Sequence, residues 1–188
     1  MRRGNRLLFL AFAVLALHGC AAPMQAKGPE GGTSEIALHG GGGAANADRL
    51  QQDIEQATTS LQGVVLERQE NSVLLTIRSD ELFEPEAAVL KPASEARIGI
   101  IAAILNRSVQ ACVTVHCHTD STGSEQTNLI LSEERARMVK EALSAKGLPP
   151  ARLTALGHGE SQQLTSNATE NGRQINRRIT LEINPLQP

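Results

Sequence analysis

The 188-residue chain has no tryptophan or tyrosine and three phenylalanines, Phe9, Phe12 and Phe83. Single-stranded nucleic acid needs aromatic rings for its bases to stack on, so that class of binding has no platform here. One-sided charge is also missing. The formal net charge of −2 provides no basic footprint for a polyanion, and no nucleic-acid partner is expected. Long apolar runs are absent beyond Leu7 to Leu17, which is too short to span a bilayer in the usual way. Since Phe83 is the only aromatic residue past that run, any core must be built from Leu, Ile, Val and Ala. A chain of this length has room for one ordinary domain plus targeting and linker segments.

Arg2, Arg3 and Arg6 precede the apolar run, and this order of charge then hydrocarbon is that of a secretory signal. The run closes on Leu17-His18-Gly19-Cys20, which resembles the bacterial lipobox. That resemblance implies that residues 1–19 are a removable signal peptide and that Cys20 is the lipid attachment site. Ala21 in place of an aspartate implies sorting to the outer membrane, with the rest of the chain in the periplasm. Each buried CH₂ of an acyl chain contributes about 0.8 kcal/mol, so several chains make a stable anchor. Residues 20–47 then read as the lipidated cysteine and a flexible Gly/Ala-rich tether, including Gly40 to Gly43. Such a tether has an r.m.s. span of about 30 Å and an extended reach of roughly 90 Å.

Residues 48–63 predict a short helix, with Leu50, Ile54, Ala57 and Leu61 at helical spacing and Gly63 as its stop. Residues 64–188 predict the main domain. Val64–Leu66 and Val73–Ile77 read as paired strands across a polar turn, and Pro92 opens a helix to Asn106 with Ile98, Ile101, Ala102 and Leu105 as its buried stripe. Val113 and Val115 mark a strand, Ser124–Lys146 a long helix stopped by Gly147, and Arg152–Gly157 and Arg178–Ile183 two further strands. The order β-β-α-β-α-β-β predicts an α/β (α+β) sandwich with helices packed on a mixed sheet.

At 100° per residue the long helix places Leu131, Met138, Val139, Ala142 and Leu143 on one arc, and Arg135 falls inside it. A guanidinium aimed at the core side needs an anion to offset its desolvation. Asn128 and Ser132 share that side, and Asp120 lies in the loop feeding the helix. The spacing is equally consistent with an internal Asp120–Arg135 salt bridge. His116, Cys117 and His118 invite a nucleophile or metal reading, but strand parity turns Cys117 away from both imidazoles, and no spacing of metal ligands is recognisable. Cys112 and Cys117 lie on opposite strand faces about 16 Å apart, beyond disulfide reach of each other, and both are expected to be free thiols.

The run HTDSTGSEQTNLILSEERARMV, from His118 to Val139, together with Gly157-His158-Gly159-Glu160, Asn167 and Gly172 to Ile179, resembles the OmpA-like C-terminal family over about residues 73–184. The resemblance implies a non-catalytic, cofactor-free domain that holds peptidoglycan through the diaminopimelate of its stem peptides, tethering the outer membrane to the wall. It assigns the binding to Asp120 and Arg135, with Thr119, Asn128 and Arg177 as supporting contacts. It also admits a second reading, a structural module of an envelope complex that keeps the fold without wall binding. Two departures stand out. Cys117 replaces a glycine, and Leu82-Phe83-Glu84-Pro85 stands where the family has an Asp-rich turn, with Glu84 expected to substitute.

Overall fold

The computed structural model describes residues 48, 52, 55–56, 63–108 and 111–185. All of them belong to the unit Gly31–Pro188. The expected signal peptide, Cys20 and tether lie outside the described residues, as does most of the expected helix at 48–63. Of that helix, Asp48, Gln52, Glu55 and Gln56 are helical and exposed, and Asp48 Oδ1 meets Arg68 Nη1 at 3.0 Å.

Five strands form one mixed sheet: β1 (Val64–Arg68), β2 (Val73–Arg78), β3 (Ala111–Cys117), β4 (Leu153–Gly157) and β5 (Arg178–Pro185). Their spatial order is β1-β2-β5-β3-β4; β3 and β4 pair in parallel and the other neighbours are antiparallel. Alternation decides which side chains enter the core. Val73, Leu75 and Ile77 of β2, Ile179, Leu181 and Ile183 of β5, and Val113, Val115 and Cys117 of β3 are all buried, each at 2% exposure or less. The reverse face is polar: Thr76 and Thr180 exchange a hydrogen bond at 3.1 Å, and His116 sits beside Glu182.

Helices α2 (Pro92–Ser108) and α3 (Glu125–Ala145) contribute to the same core. The stripe expected on α2 is buried, with Ile104 added to it. On α3, Val139 and Leu143 are buried as expected, while Leu131, Met138 and Ala142 are half-buried and Ala136 takes an inner position. The α/β sandwich and the order of the seven expected elements are observed. Two short helices were not legible: α1 (Ser79–Leu82) and α4 (Glu170–Asn176). In α4 the N-cap signal is Thr169, whose Oγ1 accepts from Gly172 N at 3.1 Å. Gly172 disguises the helix, since glycine is a poor helix former, yet a Cβ there would lie 2.0 Å from the Ser166 carbonyl oxygen.

Cys117 is a buried free thiol, pushed up to about 12 by burial, which keeps it protonated and inert as a nucleophile. The matching expectation for Cys112 is not met. It is disulfide-bonded. Strand parity separates Cys112 from Cys117 and carries no information on any other pairing.

Candidate functional site

The β3–α3 loop is shaped by its own side chains. Asp120 Oδ1 accepts from Thr122 N at 2.8 Å, an Asx-type turn; Gly123 follows at φ 94°, and Ser124 caps α3 by accepting from Thr127 N at 3.1 Å. The loop therefore delivers Asp120 to the mouth of a cleft of about 590 Å³. Its lining brings together all five of the expected residues, Thr119, Asp120, Asn128, Arg135 and Arg177, with Asp80, Pro85, Glu86 and Leu131 around them. Glu84 is exposed and does not line the cleft, so the expectation that it supplies the missing edge carboxylate is corrected. The turn after Phe83 carries Glu86 to the edge instead.

The anion and the two cations are not paired as the spacing suggested. Asp120 Oδ2 accepts from Arg177 Nη1 at 2.5 Å, and the internal Asp120–Arg135 bridge is not formed. Burial alone would raise the Asp120 pKa, but the hydrogen bonds from Arg177 and Thr122 outweigh it and hold the carboxyl below its usual range. Arg177 also reaches Glu170 Oε1 at 3.0 Å and Asp80 Oδ2 at 3.4 Å. Burial opposes its charge, but these carboxylates prevail and shift the guanidinium upward.

Arg135 stands apart from this network. It is 5% exposed; Nε donates to the Ala87 carbonyl at 2.9 Å, and its Cζ lies 5.2 Å from the centroid of the Phe83 ring. Its terminal nitrogens have no carboxylate partner among the described residues, and burial lowers its pKa. Arg135 thus lines the cleft from beside the Phe83 ring, and a guanidinium there is a group able to pair with a carboxylate bidentately. Thr119 is 5% exposed and its Oγ1 has no hydrogen-bond partner among the described residues.

The loop after β4 locks the helix that carries these groups. A Cβ on Gly157 would lie 2.3 Å from Glu133 N, so only glycine lets β4 pass this close to α3. Gly159 N donates to Ser132 Oγ at 2.9 Å, Thr119 N donates to Gly159 O at 2.9 Å, and Asn128 Nδ2 donates to Glu160 Oε2 at 2.7 Å. Asn128 thus acts as a brace between loop and helix. The Asn176-Arg177-Arg178 step divides its labour. Asn176 staples residues 164–167 through Leu164 N, Thr165 O and Asn167 Oδ1. Arg177 serves the cleft, while Arg178 is buried beneath the loop with Nη2 on the Gln162 carbonyl.

Behind the loop, His158 stacks between His116 and His118, at centroid distances of 5.1 and 4.7 Å. His116 Nε2 contacts Glu182 Oε2 at 3.1 Å, and its Nδ1 lies 2.9 Å from His158 Nε2. These imidazoles pack and brace; Cys117 points away from them into the core. Burial, then Arg178, His158 and His116, push His118 down to about 3, and burial likewise lowers His158. Both are neutral in the fold at pH values where an unfolded imidazole, near 6.5, takes up a proton. Stability is therefore complete above about pH 6.5 and falls as the pH drops toward the folded value. Denaturation midpoints should decline between pH 7 and pH 5, above the range of ordinary carboxylates, and His118→Gln should flatten that slope. An unchanged slope in the variant would show that His118 is not the group responsible.

Comparison with known proteins agrees with this fold. A family model described as OmpA family matches residues 82–177. The probable lipoprotein YiaD of Escherichia coli K12 is 32% identical over 124 residues, covering 66% of this chain and 57% of that protein. The peptidoglycan-binding protein ArfA of Mycobacterium tuberculosis is 36% identical over 102 residues, 54% of this chain and 31% of the relative. Both relatives extend well beyond the matched region, the chain spanning less than two thirds of their length. Among solved structures, the cell wall anchor of the T6SS from Pseudomonas aeruginosa superposes with a TM-score of 0.66 at 28% identity, over 74% of this chain and 99% of that one. With a model match across 82–177 and a sheet, cleft and loop set that follow the expected motifs, the chain belongs to the OmpA family.

Proposed function

We propose that this protein is a non-catalytic outer-membrane lipoprotein whose domain holds peptidoglycan by the diaminopimelate of its stem peptides. The observation that carries the reading is Arg135, a nearly buried guanidinium that lines a cleft of about 590 Å³ and forms no ion pair among the described residues. A ligand carboxylate satisfies that fork bidentately and offsets its desolvation. Asp120, kept ionised by Arg177 and Thr122, supplies a negative pole next to it. Thr119 Oγ1 offers a further donor or acceptor within the cleft. Binding is reversible and non-covalent on this account, since Cys117 is buried and inert and the imidazoles are engaged with one another. Support also comes from the relatives, among them a probable lipoprotein, a peptidoglycan-binding protein and a cell wall anchor. The direct experiment is co-sedimentation with purified peptidoglycan sacculi, competed by a stem tripeptide ending in meso-diaminopimelate. Failure to pellet would overturn the reading in favour of a protein-binding envelope module. Released muropeptides would overturn its non-catalytic part.

The anchor is a separate element of the proposal, resting on Arg2, Arg3, Arg6, the apolar run and Leu17-His18-Gly19-Cys20. Cys20→Ser should convert a membrane-bound protein into a soluble periplasmic one, read by fractionation. A thioether to lipid and a disulfide are mutually exclusive fates for one sulfur. Membrane retention of the variant, or a Cys20–Cys112 linked peptide in the native protein, would overturn the anchor.

A further inference from the structure

We infer that the imidazoles of His116, His118 and His158 form a proton-operated latch, which holds the loop 158–162 against the polar face of the sheet and releases it when acid protonates the stack. The opening stands on the geometry of this chain alone, and its consequence for binding rests on the wall-binding reading above.

The stack admits little positive charge. His158 lies between the other two rings, and its Nε2 meets His116 Nδ1 at 2.9 Å. Two ring nitrogens at that distance share one proton; a second sets two N–H groups head to head. His118 is 3% exposed, and its Nδ1 has no hydrogen-bond partner among the described residues. The groups facing the stack do not favour a further proton. β5 presents Arg178, a buried cation, and Glu182, whose Oε2 is already on His116 Nε2 at 3.1 Å. β3 adds Cys117, a neutral thiol on the opposite strand face, and α3 meets the loop through the uncharged Ser132 and Asn128. The loop's own carboxylate, Glu160, is engaged with Asn128 at 2.7 Å. A second cation beside Arg178 therefore favours the open loop, where water solvates it.

Few bonds oppose that opening, and they lead to the cleft. His158 N donates to the Cys117 carbonyl at 3.0 Å, Thr119 N to Gly159 O at 2.9 Å, and Gly159 N to Ser132 Oγ at 2.9 Å. Arg178 Nη2 donates to the Gln162 carbonyl at 3.1 Å. Releasing the loop frees the Thr119 amide and takes Glu160 from Asn128, and both Thr119 and Asn128 line the cleft. Proton uptake and ligand binding thus act on one loop in opposite directions. Burial, then Arg178, hold His118 down to about 3 in the closed form, whereas a solvated imidazole titrates near 6.5. Between pH 7.5 and pH 5 that difference shifts His118 alone toward the open form by about 30-fold, and His158, lowered by burial, acts in the same direction.

The test is amide hydrogen exchange of the full chain by NMR, expressed as protection factors so that the intrinsic pH dependence of exchange is removed. Protection of the Thr119, His158 and Gly159 amides should fall by about 30-fold or more from pH 7.5 to pH 5. It should stay below that of the buried strand residues Val115 and Leu181 throughout. His118→Gln should recover about 30-fold of the fall, and His158→Phe, which keeps a ring in the stack, a further part. Protection equal to that of Val115 and Leu181 would mean that the loop opens only with the whole domain. An undiminished fall in both variants would mean that other groups drive it, and either result overturns the latch. The link to the cleft is read at pH 6 with a stem tripeptide ending in meso-diaminopimelate. At ten times its Kd it should raise the protection of the three amides about tenfold, because it binds the closed form. Unchanged protection with the tripeptide bound would overturn the link. Wild-type protein that binds no tripeptide at pH 7.5 would overturn the wall-binding reading, while the exchange data still decide the latch.

Discussion

Arg135→Ala should lose peptidoglycan in a sacculus pull-down while keeping its native circular dichroism. Two opposing effects meet at this residue. The charge is nearly buried, so the anion it binds is desolvated, and removing one partner of such a pair costs about 3 kcal/mol, roughly 150-fold in affinity. In the unliganded fold, however, burial disfavours the guanidinium, and the Ala87 carbonyl, the Phe83 ring and the nearby Asp80 and Asp120 carboxylates offset this only in part. Deleting it removes an unmatched charge along with one hydrogen bond and a ring contact, so unfolding free energy should change by less than about 1 kcal/mol. Arg135→Lys tests the geometry. A lysine keeps the charge but not the planar fork, and should recover only part of the binding. Full retention of binding by the alanine variant would mean that the ligand carboxylate sits elsewhere.

Gly157→Ala should cost stability rather than binding chemistry, by about 3 kcal/mol or a melting shift of roughly 10 °C. The added Cβ would lie 2.3 Å from Glu133 N, 2.6 Å from Glu133 Cα and 2.6 Å from Ser132 Oγ. Two of these are backbone atoms, so no side-chain rotation relieves the clash, and α3 must move off β4. That displacement also breaks the Gly159 N to Ser132 Oγ bond, which ties the loop of His158 and Glu160 to the helix. Wall binding should weaken secondarily, because α3 carries Asn128 and Arg135. Gly99→Ala is the control: nothing lies within 4 Å of its Cβ in the middle of α2, and it should stabilise by about 0.5–1 kcal/mol. If Gly157→Ala melts like the wild type, β4 and α3 have slack that their close approach conceals.

Much of the architecture was legible because it follows from periodicity. Val73, Leu75 and Ile77, or Ile179, Leu181 and Ile183, announce strands with one inner face, and the α2 stripe announces an amphipathic helix; burial enforces both patterns directly. Short elements were missed where a local signal was too brief or contradicted. Ser79–Leu82 is a single turn, and α4 carries Gly172 in its interior. Thr119, Asp120, Asn128, Arg135 and Arg177, singled out from the sequence, all line one cleft. Their partners were not singled out. Arg178 lies on the strand face opposite Ile179, and is buried because the loop carrying Gln162 folds over it.

The sequence by itself determined which residues could be inside, in what order the elements come, and that a guanidinium at position 135 falls on the inner arc of its helix. Those are properties of spacing along one chain. Only the tertiary structure decided who pairs with whom. Arg177 claims Asp120 because β5 pairs with β2 and β3 in a register that brings its entry beside both Asp80 and the end of β3, residues 97 and 57 positions away. Among the described residues that pairing leaves Arg135 without an ion pair, and the left-handed turn at Glu86, not Glu84, fills the edge of the cleft. Charge matching depends on distances across the sheet, which helical and strand periods do not encode.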